Sequence, residues 1–374
     1  MIMDILLSTA RAGGVENIIK KMLTFMESEN FHIRVVQLVW EGERWLPENA
    51  AFYPLAYGKG DYNIEEFVSL YSAFLEKNGI PDIILATVWP YNCYVARCAI
   101  EKKGGNVKII SYMHHNIEKY ESVVPESFKW LSYADAHFAI NSDIHRNLYE
   151  YSKDWPIYRI KNPVDITDEY RKEDSRELSY RLAFVGRLEY QKNPEMLLDV
   201  LKNNTKWHIS VIGSAEDDYE EELRKKAIKM GVNERISWCG WQTDPWKYTD
   251  DVDALILTSI SEAFPLAAIE ALSRGIPVIA SRVSGIKELI QDGKNGYTYD
   301  IGDIDQLDSI IKKIEKENSI GISPSECRKS AMPYETEYVL TDMMYKICSV
   351  ALDRALLPNS VEMPYFVGRP EGGV

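Results

Sequence analysis

At 374 residues, 45% hydrophobic and 27% charged, the chain exceeds what one hydrophobic core ordinarily serves, so two domains are expected. No apolar run approaches the roughly 20 residues that span a bilayer, and MIMDILLSTARAGG lacks the basic and long apolar regions of a signal peptide. The formal charge of −14 argues against a nucleic-acid partner. Five cysteines (Cys93, Cys98, Cys239, Cys327, Cys348) are odd in number and show no zinc spacing. Buried free thiols and a reducing, cytoplasmic setting are expected.

In chain order, residues 4–8 read as a strand, and Ala10 to Glu16 as the glycine turn after it. Val15, Ile18, Ile19, Met22 and Met26 recur at helical spacing. Strand, Gly13-Gly14, helix has the form of a phosphate- or sugar-facing turn, without the G-x-G-x-x-G pattern of dinucleotide oxidoreductases. His32–Trp40 and residues 81–87 are further strands, with a helix over residues 64–75. The strand Val107–Met113 delivers His114, His115 and Asn116 at its carboxyl end. Residues 134–142 read as a strand and a helix capped by Ser142. Residues 166–180 are polar and charge-dense, in the manner of an interdomain linker.

After it the pattern restarts. Residues 181–185 form a strand leading to Gly186, Arg187 and Lys192, and Pro194 opens a helix. A strand over 208–212 ends in Gly213-Ser214. A charged helix stops at Gly231, and a short strand precedes Gly240-Trp241-Gln242. The strand 254–257 then runs into Ser259, Glu262 and Phe264-Pro265. A helix with Pro265 in its first turn follows, ending at Gly275, with Glu270 about two turns inside. Residues 284–288 and 292–296 read as turns. Strands alternating with helices imply parallel sheets covered on both faces, and the tail beyond Ala355 lacks periodicity.

Several residues could carry chemistry. The N–H groups opening the helix after Pro265 suit a ligand phosphate. Arg187 and Lys192, on one loop at a strand's carboxyl end, could neutralise a diphosphate; the alternative is a solvated loop. His114, at another strand end, could donate to a sugar hydroxyl or a phosphate oxygen; strand-end histidines are also commonly structural. His137 reads as a satisfied core residue. Glu270 stands four residues before Arg274, which is also the spacing of an exposed ion pair. Asp251-Val252-Asp253 and Asp303-Ile304-Asp305 look like metal-binding D-x-D pairs but read as structural, and no other cluster suggests a metal. No G-x-S-x-G, P-loop or H-E-x-x-H occurs.

Taken together, AGGVE, SYMHHN, NPVD, FVGRLEYQKNPEMLL, VIGSAED, CGWQTDPW and SEAFPLAAIEALSRGIPVIAS with SGIKELI resemble a family 4 retaining glycosyltransferase of GT-B architecture. GWQTDPW followed by TSISEAFP further resembles the lipopolysaccharide 1,6-galactosyltransferase subgroup. The resemblance implies an α/β fold of two Rossmann-like domains with parallel sheets facing across a cleft. Residues 1–168 would bind the acceptor and 169–344 the nucleotide sugar, with residues from about 345 to 374 packing back on the first domain.

By resemblance, Arg187 and Lys192 would bind the donor diphosphate, assisted by backbone N–H groups at Gly14, Phe264 and Leu266, and Gly13, Gly186, Gly213 and Pro265 would also belong to the donor-binding site. Glu270 would hold the ribose, Glu262 the transferred sugar, and Trp241 or Gln242 the base. His114 would sit beside the anomeric centre. Catalysis would then rest on His114, Glu262, Arg187 and Lys192, with no metal and no cofactor. Pro265 departs from the family's more usual glycine and removes one backbone donor. The activity implied is transfer of a hexose, galactose in the first instance, from a UDP-sugar to a glycan or lipid-linked acceptor in surface polysaccharide synthesis, with retention. Weak peripheral membrane contact through the first domain is compatible with that. A GT-B sugar-nucleotide epimerase and an inactive partner of another transferase are the alternatives.

Overall fold

Strands buried on both faces read as continuous apolar runs, and the sheet interiors here are built from such runs. The computed structural model describes residues 1–8, 13–40, 42, 44–58, 62–168, 177–215 and 218–353. Residues 9–12 of the expected glycine turn, most of the expected linker (169–176), residues 216–217 and the tail from 354 lie outside the described residues. The chain divides into one unit of Met1–Pro163 with the residues from Thr336 on, and a second of Val164–Glu335.

The first unit holds strands β1 (Ile2–Leu7), β2 (His32–Trp40), β3 (Phe52–Tyr57), β4 (Ile83–Thr87), β5 (Lys108–Tyr112), β6 (Ala136–Ala139) and β7 (Ile157–Arg159). They form one sheet in the order β3-β2-β1-β4-β5-β6-β7, with every pairing parallel. Its helices are α1 (Gly14–Ser28), α2 (Ile64–Asn78), α3 (Tyr91–Lys102), α4 (Ile117–Val123), α5 (Ser127–Leu131) and α6 (Ser142–Tyr151). The strand β3 escaped the sequence reading because Pro54 interrupts it. At a sheet edge a missing N–H is tolerated, and β3 is the edge strand. The cap of α6 is Asn141, whose side chain accepts from Ile144 N at 2.7 Å, and Ser142 is already helical.

The second unit holds β8 (Arg181–Val185), β9 (His208–Ile212), β10 (Ile236–Gly240), β11 (Ala254–Leu257), β12 (Val278–Ser281) and β13 (Gly296–Tyr299), in the order β10-β9-β8-β11-β12-β13. Its helices are α7 (Glu195–Asn203), α8 (Tyr219–Lys229), α9 (Leu266–Ser273), α10 (Ser284–Leu289), α11 (Ile304–Glu317) and α12 (Pro324–Ala331). Residues 284–288, expected as a turn, form most of α10. Successive residues of β8 serve opposite faces, as the period of two requires. Leu182 and Phe184 join a cluster with α7, α8 and α11 residues such as Leu197, Leu223 and Ile311. Ala183 joins the other cluster, with Ile269, Ile286 and Cys327 of α9, α10 and α12. Helix α13 (Thr336–Ala351) then returns to the first unit and packs on α1 and β5. Among the described residues no helix is long and apolar enough to cross a membrane.

Both strand orders reverse direction once, between β1 and β4 and between β8 and β11. Open α/β sheets bind ligands outside the carboxyl ends of the strands at such switch points. Buried charge fixes the first of these strands. Asp4 of β1 is fully buried and accepts from Arg34 Nε at 2.5 Å, Arg34 Nη2 at 2.9 Å and Tyr71 Oη at 2.7 Å. Arg34 also donates to the Asn78 and Gly79 carbonyls at the end of α2. Burial raises the Asp4 carboxyl above its ordinary range, and Arg34 opposes that shift. Arg34→Met should therefore cost about 3–5 kcal/mol by stranding a buried carboxylate. Denaturant unfolding at neutral pH checks this, and a loss below about 1 kcal/mol, the worth of an exposed pair, would contradict it.

Candidate functional site

In the second unit, the loops leaving β8, β9 and β10 are tied by main-chain bonds. Gly186 N donates to Ile212 O at 3.0 Å, Leu188 N to Ser214 O at 3.0 Å, and Gly213 N to Gly240 O at 2.8 Å. The approach is so close that a Cβ on Gly213 would stand 1.9 Å from Gly186 O, and its φ is +147°. Only glycine fits there.

These ties present the β8 loop to the β11 loop across the switch point. Lys192 Nζ donates to Glu262 Oε1, whose side chain is 6% exposed against 21% for the lysine. Ser259 Oγ donates to the same oxygen at 2.6 Å. A buried carboxylate needs such partners. The loops are stitched further by Ile260 N to Gln191 O at 2.9 Å, Gln191 Nε2 to Ser261 O at 2.5 Å, and Thr258 Oγ1 to the Lys192 carbonyl at 2.9 Å. Gly285 of α10 packs below, where a Cβ would meet Ala263 O at 2.5 Å and Phe264 Cα at 2.7 Å. The roles of Ser259, Thr258 and Gln191 were missed in sequence; for Thr258 and Ser259 the signal was a run of hydroxyl residues at a strand end, common in any loop, and Gln191 carried none. Arg187, half exposed, stands 3.4 Å from Glu189.

Pro265 is the residue before α9, with φ −80° and ψ 101°, and not in its first turn. Leu266 opens the helix, and no side-chain hydrogen bond caps it, which leaves its first N–H groups directed at the switch point. Glu270 is the fifth helical residue, so about one turn inside and not two. It accepts from Trp246 Nε1 at 3.2 Å. Arg274 donates to the main-chain carbonyl of Glu270 at 3.0 Å and lies 4.7 Å over the Trp246 ring. Gly275 follows the helix with φ +72°. The Phe264 ring rests on Tyr334 at 5.4 Å. Trp241 is 66% exposed after β10, while Gln242 folds its amide back onto Cys239 O at 2.7 Å. Arg187, Lys192, Glu262, Leu266 and Glu270 thus share one end of one sheet.

The D-x-D carboxylates have structural partners. Asp253 accepts from Ser179 N and Arg181 N at 3.0 and 2.9 Å, Asp251 pairs with Arg181 at 2.8 Å, and Asp303 caps α11. All five cysteines are free; Cys93 and Cys327 are buried, and the other three only partly so.

Gly13, Gly14 and His114 belong to the first unit. Gly13 precedes α1 in extended backbone, with φ −176°. His114 follows β5, half-buried, with its ring 4.1 Å from Tyr112. Its Nε2 lies 3.0 Å from Thr87 Oγ1, and that hydroxyl donates to Tyr112 O at 2.8 Å. The single hydroxyl proton being committed, Nε2 carries the imidazole proton and Nδ1 the lone pair. Through Nδ1 His114 can accept from a ligand hydroxyl but not donate, contrary to the sequence expectation. Burial, and secondarily His115, push its pKa down to about 3. His137 is fully buried, with Nδ1 bonded to Ser111 at 2.7 Å and Nε2 without a partner among the described residues, so it is only half satisfied. Burial pushes it to about 3 also.

Both histidines bind protons more readily unfolded than folded. Their stabilisation is complete above the unfolded pKa of about 6.5 and is lost as pH falls from there toward 3. His137 alone should cost on the order of 2 kcal/mol between pH 7 and 5, and His137→Phe should flatten that slope. Nitrogen NMR should find His114 neutral, with the proton on Nε2, down to pH 4; a ring titrating near 6.5 would contradict the assignment.

Residues 165–332 match the family of glycosyl transferases group 1. The lipopolysaccharide 1,6-galactosyltransferase of Salmonella typhimurium is 28% identical over 323 residues, 81% of this chain and 86% of that protein. The protein of the same name from Escherichia coli is 31% identical over 242 residues, 62% of this chain and 65% of that one. Among solved structures, the apo form of the lipopolysaccharide outer core galactosyltransferase WaaB superposes with a TM-score of 0.77 at 24% identity, covering 93% of this chain and 99% of that one. The architecture is GT-B, built from two parallel-sheet Rossmann-like units, and the match to the glycosyl transferases of group 1 falls on the second of them.

Proposed function

We propose that this glycosyltransferase moves a hexose, galactose in the first instance, from a UDP-sugar to a glycan or lipid-linked acceptor in the synthesis of a surface polysaccharide. The names of the two relatives support the sugar and the setting. The observation that carries the donor site is the Lys192–Glu262 pair spanning the β8/β11 switch point, beside the start of α9 and the half-exposed Arg187. Two cations and a helix N-terminus stabilise negative charge that grows on a leaving diphosphate. In this reading Glu262 meets the transferred sugar, Glu270 the ribose, Trp241 and the main chain near Gln242 the base, and the Gly13-Gly14 turn the phosphate.

In this scheme His114 accepts a hydrogen bond from a sugar hydroxyl through Nδ1, takes no proton, and stays neutral throughout. The reaction proceeds with retention, the diphosphate taking the acceptor proton, and needs neither a metal ion nor a cofactor. A nucleotide-sugar donor goes with a cytoplasmic setting. A lipid-linked acceptor would bring the first unit against the membrane surface, and co-sedimentation with anionic vesicles tests that contact.

Incubation with UDP- and GDP-sugars, read by mass spectrometry, should give hydrolysis or transfer with a UDP-hexose. An epimerised donor as the sole product would overturn the transferase reading for this substrate. Lys192→Ala should lower turnover about 100-fold or more, by analogy with lost oxyanion-type donors, beyond the loss of stability that follows from leaving the buried Glu262 with Ser259 as its partner, so turnover is read per folded molecule. Wild-type turnover in that variant would remove Lys192 from the site. Glu270→Ala should weaken UDP binding by calorimetry, and an unchanged affinity would end the ribose assignment.

A further inference from the structure

The tryptophan of the DPW segment has no role in the reading so far. It lies in the short turn Pro245–Tyr248, 8% exposed, within the apolar cluster under α9. Its main chain is held on both sides. The N–H donates to Asp244 Oδ1 at 3.2 Å, and the carbonyl accepts from Thr249 N at 3.1 Å and Thr249 Oγ1 at 2.7 Å. A buried indole N–H needs an acceptor, and here the acceptor is the carboxylate of Glu270, at 3.2 Å. On the ring face sits Arg274, at 4.7 Å, one helical turn beyond Glu270 and bonded to the Glu270 carbonyl.

We propose that Trp246 is a positioning residue for nucleotide binding: its indole N–H sets the Glu270 carboxylate for the ribose, and Arg274 locks the indole in place. The inference rests on the ribose assignment of Glu270. A glutamate side chain, even half-buried as Glu270 is, loses rotamer freedom when it engages a ligand. Anchoring one oxygen beforehand removes part of that cost, and a carboxylate has about four acceptor positions, so hydroxyls can still be received. The tryptophan thereby acts through Glu270 and touches no ligand itself.

The test is calorimetry on the full chain with UDP and with its 2′,3′-dideoxy counterpart, for wild type, Trp246→Phe, Glu270→Ala and the double variant. Phenylalanine keeps an aromatic ring under Arg274 and removes the N–H donor together with one ring of the buried indole, a packing loss that weighs on both ligands alike. Trp246→Phe should weaken UDP about 10-fold more than it weakens the dideoxy ligand, the worth of a hydrogen bond to a charged group. The double variant should bind UDP no worse than Glu270→Ala alone, because coupled residues are not additive. Equal losses for both ligands would overturn the proposal and reduce Trp246 to packing. Undiminished UDP affinity in Glu270→Ala would instead bring down the ribose reading beneath it. Should Trp246→Phe fold poorly, Arg274→Met leaves the indole intact and should show a smaller loss, again for UDP alone; no loss there would overturn the lock.

Discussion

Burying a carboxylate at a sheet's switch point constrains everything around it. Glu262 is almost wholly out of water, so its charge must be met by donors from the protein. Lys192 and Ser259 supply them, and Lys192 can do so only if the β8 loop is carried to the β11 loop. That requirement explains the glycine contact between the ends of β8 and β9 and the stitching by Gln191 and Thr258. It explains why α10 meets the loop with a glycine. Much of the local sequence therefore serves to hold one ion pair in register.

The two units solve the same topological problem twice, with β1 beside β4 and β8 beside β11. They differ in what they put at the carboxyl ends. The second offers cations, an uncapped helix start and two glutamates. The first offers the glycines that open α1 and a neutral histidine whose tautomer is dictated by Thr87 and Tyr112. Charge is concentrated in one unit and hydroxyl-accepting chemistry in the other. The Asp4–Arg34–Tyr71 cluster keeps charge out of play in the first unit by satisfying it internally.

Most of the second sheet was legible in sequence because its strands are short, largely apolar runs with polar or glycine flanks, as with Ala254–Leu257 between Asp253 and Thr258 and Arg181–Val185 before Gly186. Glu262, Glu270, Arg187 and Lys192 could be singled out because strand-end position and spacing are local properties. What escaped was whatever depends on sheet neighbours. Pro54 hid β3, since only a sheet order reveals an edge. Residues 284–288 read as a turn because the polar Ser284-Gly285 opening masks a helix that packs by its glycine. Glu270 and Arg274 have the spacing of a surface ion pair, yet the guanidinium lies over Trp246 and bonds a main-chain carbonyl. Nothing in the sequence links Trp246 to a residue 24 positions later. Nor could spacing reveal which nitrogen of His114 carries the proton.

The central claim is that the β8/β11 switch point of the second unit receives the donor diphosphate. A crystal structure with UDP tests it most directly. The account predicts the diphosphate within hydrogen-bonding reach of Lys192, Arg187 and the first N–H groups of α9, with the ribose on Glu270. A diphosphate bound elsewhere on the chain, with the Lys192–Glu262 pair untouched, would contradict it.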